Sequence, residues 1–189
     1  MSIHLVIGPM FSDKTSTLLS IAFKQAMLGF RVLYINHLSD NRSDARYSTH
    51  NPALKDHMDR GSKVEFISSG CLTFLRDNYQ DYDVVCIDEG RFFADLFIMC
   101  KELADLHGKE IHVAGLSGDS RRQRFGQLLD LIPIADSVVH TTAMCRRCPK
   151  EDKRKAIFTH RTKGGDAVIE IGGKDKYEAL CRKCYMSAS

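Results

Sequence analysis

Gly8-Pro9-Met10-Phe11-Ser12-Asp13-Lys14-Thr15 decides how the rest of this chain is read. It follows an apolar run, Ile3–Ile7, and precedes a stretch with helical spacing from about Lys14 to Leu28 that Gly29 ends. Strand, loop and helix in that order place a helix N-terminus and a ring of backbone N–H groups where an anion can sit. The spacing matches the phosphate-loop pattern G-x-x-x-x-G-K-S/T at Gly8, Lys14 and Thr15. In that pattern the lysine reaches the outer phosphates and the hydroxyl holds Mg²⁺. The second glycine of the pattern is Asp13 here. A carboxylate roughly 5 Å from a phosphate charge repels it by about 3 kcal/mol at an effective dielectric near 20. The sequence therefore predicts a nucleotide-phosphate site, Gly8 to Thr15, that carries an opposing charge of its own.

Outward from the loop, strand and helix patterns alternate. Arg31–Asn36, Val64–Ile67, Asp83–Asp88, Glu110–Gly115 and Ser137–Thr142 read as strands, and Cys71–Asn78, Ala94–His107 and Phe125–Leu131 as helices. Residues 37–62 form a long polar excursion. The alternation predicts an α/β fold, a parallel sheet with helices on both faces. From Met144 the composition changes to cysteines, lysines and arginines with little helical periodicity, so we place a domain boundary between 143 and 144.

The chain has 189 residues, 43% hydrophobic and 27% charged, with a net charge of +3, which fits a globular domain and by itself implies neither nucleic acid nor membrane as partner. The N-terminus enters its first strand with no leader-like composition, and no apolar run approaches the ~20 residues of a membrane span. A cytoplasmic, reducing location is expected. Of seven cysteines, Cys71, Cys86 and Cys100 stand alone in apolar segments and read as small core residues. Cys145-x-x-Cys148 and Cys181-x-x-Cys184 have the spacing of a closed tetrahedral Zn²⁺ site.

Asp88-Glu89 ends an apolar strand. In phosphate-loop enzymes a carboxylate so placed supports Mg²⁺, and a neighbouring glutamate within reach of a substrate hydroxyl acts as general base. Arg121, Arg122 and Arg124, with Arg146, Arg147, Lys150, Lys153, Arg154 and Lys155, read as a solvated basic surface, because acids are interspersed and no aromatic platform accompanies them.

These pieces in this order resemble the type II thymidine kinases, the small zinc-containing family of animals, bacteria and large DNA viruses. The resemblance rests on the loop, on Asp44-Ala-Arg-Tyr47 and Thr49-His50, on Ile87-Asp-Glu-Gly-Arg-Phe-Phe93, on Phe125-Gly and the Ser137–Cys148 run, and on Ile171-Gly-Gly-Lys-Asp-Lys-Tyr177 leading to Cys181-Arg-Lys-Cys184. It implies a nucleotide-binding sheet over residues 1–143 and a zinc ribbon over 144–189. A lasso loop at about 155–175 would close over a deoxynucleoside. It further implies γ-phosphoryl transfer from Mg·ATP to the 5′-hydroxyl of thymidine, in a homotetramer or homodimer. On that resemblance Glu89 is the base, while Asp88, Arg46, Arg91 and Asp44 join the loop on the phosphate–metal side. Met10, Phe92, Leu116, Phe125, Thr159 and Tyr177 line the nucleoside pocket.

Three positions depart from the family pattern: Asp13 for glycine, Arg91 for glutamine, and Ser120 for a phenylalanine that stacks on the base. They leave two rival readings, a divergent or impaired deoxynucleoside kinase and a non-catalytic nucleic-acid-binding zinc protein. An offset of the Asp13 charge by Arg91 is also expected if the two lie close together.

Overall fold

The computed structural model describes residues 1–39, 63–162 and 176–188. Asp44, Arg46, Tyr47, Thr49 and His50 lie outside the described residues, as do 163–175 of the expected lasso.

Six strands form one parallel sheet: β1 (Ser2–Gly8), β2 (Val32–His37), β3 (Val64–Ser69), β4 (Val84–Ile87), β5 (Glu110–Leu116) and β6 (Ser137–His140). Their order across the sheet is β3-β2-β4-β5-β1-β6. Because alternate residues of a strand point to opposite faces, each apolar run feeds two cores. Val6, Tyr34, Val84, Cys86 and Ala114 meet Leu18, Leu19, Ala22 and Phe23 of α1 (Lys14–Met27) on one face. Leu5, Leu33, Ile35, Val85, Ile87 and Val113 meet the other layer on the opposite face. That layer holds the short α2 (Leu75–Asn78), α3 (Leu96–Asp105) and a 3₁₀ segment, Leu128–Ile134. The edge strand β6 is exposed along its length, as a strand with a free side is.

Local chemistry explains where α1 starts and stops. Its N-cap, Asp13, is left-handed and makes no side-chain capping bond, but its carbonyl accepts from the backbone N–H of Thr17 at 2.9 Å. At the far end Gly29 takes φ +96°, a conformation that stops a helix cheaply only at glycine.

Beyond the sheet the chain builds a second, smaller cluster. β7 (Ala143–Met144) pairs with β8 (Lys155–Ala156), and β9 (Phe158–Arg161) pairs antiparallel with β10 (Tyr177–Leu180), before a closing turn of helix, α4 (Arg182–Met186). Ala143, Ala156, Ala179, Leu180 and Tyr185 pack there around the four spaced cysteines.

The structure corrects two readings. Cys86 and Cys100 are fully buried, but Cys71 is exposed: it sits in the turn after β3, where its carbonyl accepts from the Ser69 hydroxyl at 2.7 Å. The helix expected over Phe125–Leu131 begins three residues later as a 3₁₀ segment, and Pro133 inside it denies a regular ladder its N–H. Burial on α3 supplies a stability test. Leu96→Ala, at a fully buried site, should cost about 2–5 kcal/mol in urea unfolding, whereas Ile98→Ala, at a half-exposed site on the same helix, should stay within about 0.5 kcal/mol.

Candidate active site

The loop after β1 crosses the C-terminal edge of the sheet, the edge at which parallel α/β sheets bind ligands. Gly8 is there for space: a Cβ on it would lie 2.4 Å from the Thr141 hydroxyl and 2.6 Å from the Thr141 carbonyl oxygen. The Ser12 hydroxyl donates to the Pro9 carbonyl at 2.8 Å and is 2.8 Å from the Thr141 hydroxyl. Lys14, buried, donates its Nζ to the same Pro9 carbonyl at 2.6 Å. The loop is thus braced from inside, with its lysine held against its own backbone.

Asp13 explains itself through its backbone. Its φ of 59° and ψ of 22° are left-handed, a region glycine enters freely and aspartate tolerates better than most residues. The Asp13 side chain is exposed and lines a cavity of about 400 Å³ with Phe11, Thr142, Met144, Arg146 and Lys153. The two cations sharing that cavity lie on the cysteine lobe. Among the described residues, Phe11, Asp13, Glu89 and Arg122 are the non-glycine residues with positive φ. All lie in segments that follow β1, β4 or β5, and strained backbone of this kind concentrates at functional sites.

Asp88 follows β4 and is 2% exposed. The Thr15 hydroxyl donates to its Oδ2 at 2.8 Å, the Tyr34 phenol to the same oxygen at 3.2 Å, and the Glu89 backbone N–H to Oδ1 at 2.9 Å. The threonine hydroxyl and the carboxylate form a set of hard oxygen donors, which fits Mg²⁺. Glu89, also buried, forms an ion pair with Arg91. The Arg91 guanidinium lies 4.3 Å from the Phe92 ring centre and 5.5 Å from that of Phe125. Those two rings meet edge to face at 5.9 Å. The structure therefore engages Arg91 with Glu89 and the aromatic pair.

The remaining expected nucleoside contacts divide. Leu116 ends β5, between the loop of β1 and the carboxylates of β4. Thr159 accepts the Met10 backbone N–H at 3.0 Å, so the small lobe reaches into the phosphate loop itself. Tyr177 is buried opposite Arg161 on the β9–β10 pair and accepts from the Arg161 guanidinium at 3.2 Å. Ser120 gives its backbone carbonyl to the Tyr185 hydroxyl at 2.7 Å, and Arg122 lies 4.9 Å from the Tyr185 ring centre. These contacts tie the segment after β5 to the small lobe.

Tyr34 and Thr141 were absent from the sequence-based site. A tyrosine inside an otherwise aliphatic buried strand is the available signal for Tyr34, since a buried phenol needs a partner. Thr141 has no comparable local mark.

The four spaced cysteines converge. All four sulfurs lie within 4.8 Å of one another, and Cys148 Sγ is 3.8 Å from both Cys181 Sγ and Cys184 Sγ. A tetrahedral ion with Zn–S bonds of about 2.3 Å sets its sulfurs about 3.8 Å apart, so the donor set fits Zn²⁺. Burial opposes ionisation of Cys145, yet backbone N–H groups of Cys181, Arg147 and Cys148 bring its thiol down to about 6. Burial and the neighbouring thiols push Cys184 up to about 12 and Cys148 upward as well. The Cys145 thiolate forms readily while ionisation of Cys148 and Cys184 is resisted, a conflict that a bound dication removes.

Comparison with known proteins agrees in kind. The thymidine kinase family model matches residues 1–185. The thymidine kinase of Variola virus is 35% identical over 187 residues, 98% of this chain and 97% of that one. The Sheeppox virus thymidine kinase is 33% identical over 183 residues, 97% of this chain and 96% of the viral protein. The cytosolic thymidine kinase of Bos taurus is 38% identical over 186 residues, 97% of this chain and 71% of the bovine protein.

Two outcomes test the small lobe. Removing its metal with a chelator should open residues 144–188 to proteolysis while the sheet of 1–140 stays protected; an unchanged digestion pattern after verified metal loss would contradict the zinc assignment. Tyr185→Phe deletes the bond to the Ser120 carbonyl and should lower stability by about 0.5–1.5 kcal/mol in denaturant unfolding.

Proposed function

This chain belongs to the thymidine kinase family and is by that membership a phosphotransferase, and from this we propose that it transfers the γ-phosphoryl group of ATP to the 5′-hydroxyl of thymidine. The observation that carries the reading is the 2.8 Å bond between Thr15 and Asp88, which joins the phosphate loop to the strand end bearing Glu89.

The loop holds the triphosphate through backbone N–H groups at the N-terminus of α1, where the helix dipole favours negative charge. Lys14 exchanges the Pro9 carbonyl for phosphate oxygens, a short swing because its Nζ already lies within the loop. Thr15 and Asp88 would hold Mg²⁺, which would supply charge neutralisation to the triphosphate. Glu89 takes the proton of the 5′-hydroxyl, whose oxygen forms the new bond to the γ-phosphorus as the bond to the β-bridging oxygen breaks and ADP departs. Arg91 holds the Glu89 carboxylate in place until the hydroxyl competes for one of its oxygens. Phe92 and Phe125 supply apolar wall to the nucleoside side, with Met10, Leu116, Thr159 and Tyr177 contributing from the two lobes.

The Asp13 carboxylate is compatible with this scheme because it is exposed and shares a cavity with Arg146 and Lys153. Its charge weakens triphosphate binding without obstructing the loop. The working form is a homotetramer or homodimer, which light scattering on purified protein checks, and the cytosolic bovine relative supports a cytosolic setting.

Purified protein with Mg·ATP should phosphorylate thymidine, and Glu89→Gln should lower kcat by about 10²–10⁴. Asp13→Gly should lower the KM for ATP and leave that for thymidine unchanged. Turnover by Glu89→Gln at the unmodified rate would remove the glutamate from the mechanism. No thymidine product from the unmodified chain would overturn the substrate assignment.

A further inference from the structure

The N-terminal edge of the sheet, opposite the phosphate loop, carries a polar cluster that phosphoryl transfer does not use. β1 and β5 are parallel partners, with Ser2 beside Glu110 and His4 beside His112, and His4 is also paired with Ser137 of β6. Residues two apart on a strand share a face, and this is the face covered by α1, whose Gln25 donates to Glu110 at 2.7 Å.

A nitrogen of His4, a nitrogen of His112 and a carboxylate oxygen of Glu110 all lie within 4.8 Å of one another. The two imidazoles stack with centroids 4.8 Å apart. Glu110-x-His112 along one strand, with His4 directly across on the next, brings two imidazoles and a carboxylate to one spot. That donor set suits divalent transition metals.

We propose that His4, Glu110 and His112 form a second metal site, for a divalent transition-metal ion such as Zn²⁺ or Ni²⁺, that clasps β1 to β5 at the edge of the sheet remote from the phosphate loop.

The surroundings resemble those that orient metal ligands elsewhere, where outer hydrogen bonds fix each first ligand. His4 has Ser137 Oγ at 2.8 Å from Nδ1 and Ser2 Oγ at 2.9 Å from Nε2, so one nitrogen turns to the ion while a serine keeps the other. Glu110 Oε1 is steadied by Gln25 and lies 2.7 Å from His112 Nε2. His112 is 7% exposed, and its Nδ1 is buried with no hydrogen-bond partner among the described residues, a polar atom the fold leaves unsatisfied. Bonds of about 2.0–2.1 Å set tetrahedral donors about 3.4 Å apart. The three donors lie within 4.8 Å of one another, so binding an ion asks the Glu110–His112 contact of 2.7 Å to open slightly and any wider pair to close by at most about 1.4 Å. Ser2 and Ser137 carry no charge, so an ion here meets one carboxylate and neutral donors.

The test uses tag-free, full-length protein with its cysteine cluster already filled by zinc, titrated with Ni²⁺ by calorimetry and with Co²⁺ by absorption. The expected result is one further equivalent per chain. Its Co²⁺ form should show d–d bands without a thiolate charge-transfer band, marking nitrogen and oxygen ligands. His4→Gln and His112→Gln should each weaken that equivalent at least about tenfold. His4 is half-buried, so His4→Gln keeps the test decisive if His112→Gln does not fold. Three results overturn the proposal: no further equivalent, a further equivalent that persists unchanged in His4→Gln, or Co²⁺ that enters with a thiolate band.

Discussion

Asp88 is where the molecule's parts are forced to agree. Its two oxygens take the Thr15 hydroxyl from the start of α1, the Tyr34 phenol from β2 and the backbone N–H of Glu89. A carboxylate 2% exposed is costly unless it is hydrogen-bonded, and here its partners come from α1, from β2 and from the next residue of its own chain segment. The bond to Thr15 spans β5, which lies between β1 and β4, so the loop cannot shift relative to the β4 end without stranding a buried charge. The strained backbone of Glu89 adjoins this anchored residue, and the anchoring is what over-determines it.

The electrostatics of the loop follow from the same economy of contacts. Lys14 is satisfied by a carbonyl of its own loop, Glu89 by Arg91, and Asp13 shares a cavity with Arg146 and Lys153. Arg91 pairs with the glutamate, and Arg146 and Lys153, which share the cavity with Asp13, belong to the small lobe. Asp13, Arg91 and Ser120 each have an identifiable contact or conformation. The aspartate fits a left-handed backbone, the arginine pairs and stacks, and the serine is used through its carbonyl.

Much of this was legible in the chain itself. The sheet was, because Ile3–Ile7 and Asp83–Asp88 are short apolar runs with turn signals on either side, and the cysteine cluster was, because two pairs at the same short spacing have few other uses. Both depend on local pattern. What escaped depends on contacts between residues far apart in sequence. Nothing near Cys71 shows that its turn faces water, since that follows from how β3 leaves the sheet edge. Tyr34 and Asp88 are 54 positions apart, and Ser12 and Thr141 are 129 apart. The start of the 3₁₀ segment at Leu128 was missed for a different reason: Pro133 sits late in the apolar run, and periodicity alone does not reveal how far back its effect extends.

Met10's amide rests on a threonine 149 positions away, across the small lobe. The small lobe therefore braces the phosphate loop. A frameshift that spares everything through Arg154 leaves all six strands of the main sheet encoded, yet it strips the phosphate loop of that partner and deletes Cys181 and Cys184. In genetic terms, lesions late in the reading frame should behave as nulls as severe as early ones, and recombination that joins the sheet of one relative to the small lobe of another should succeed only when the loop and the threonine travel as a matched pair.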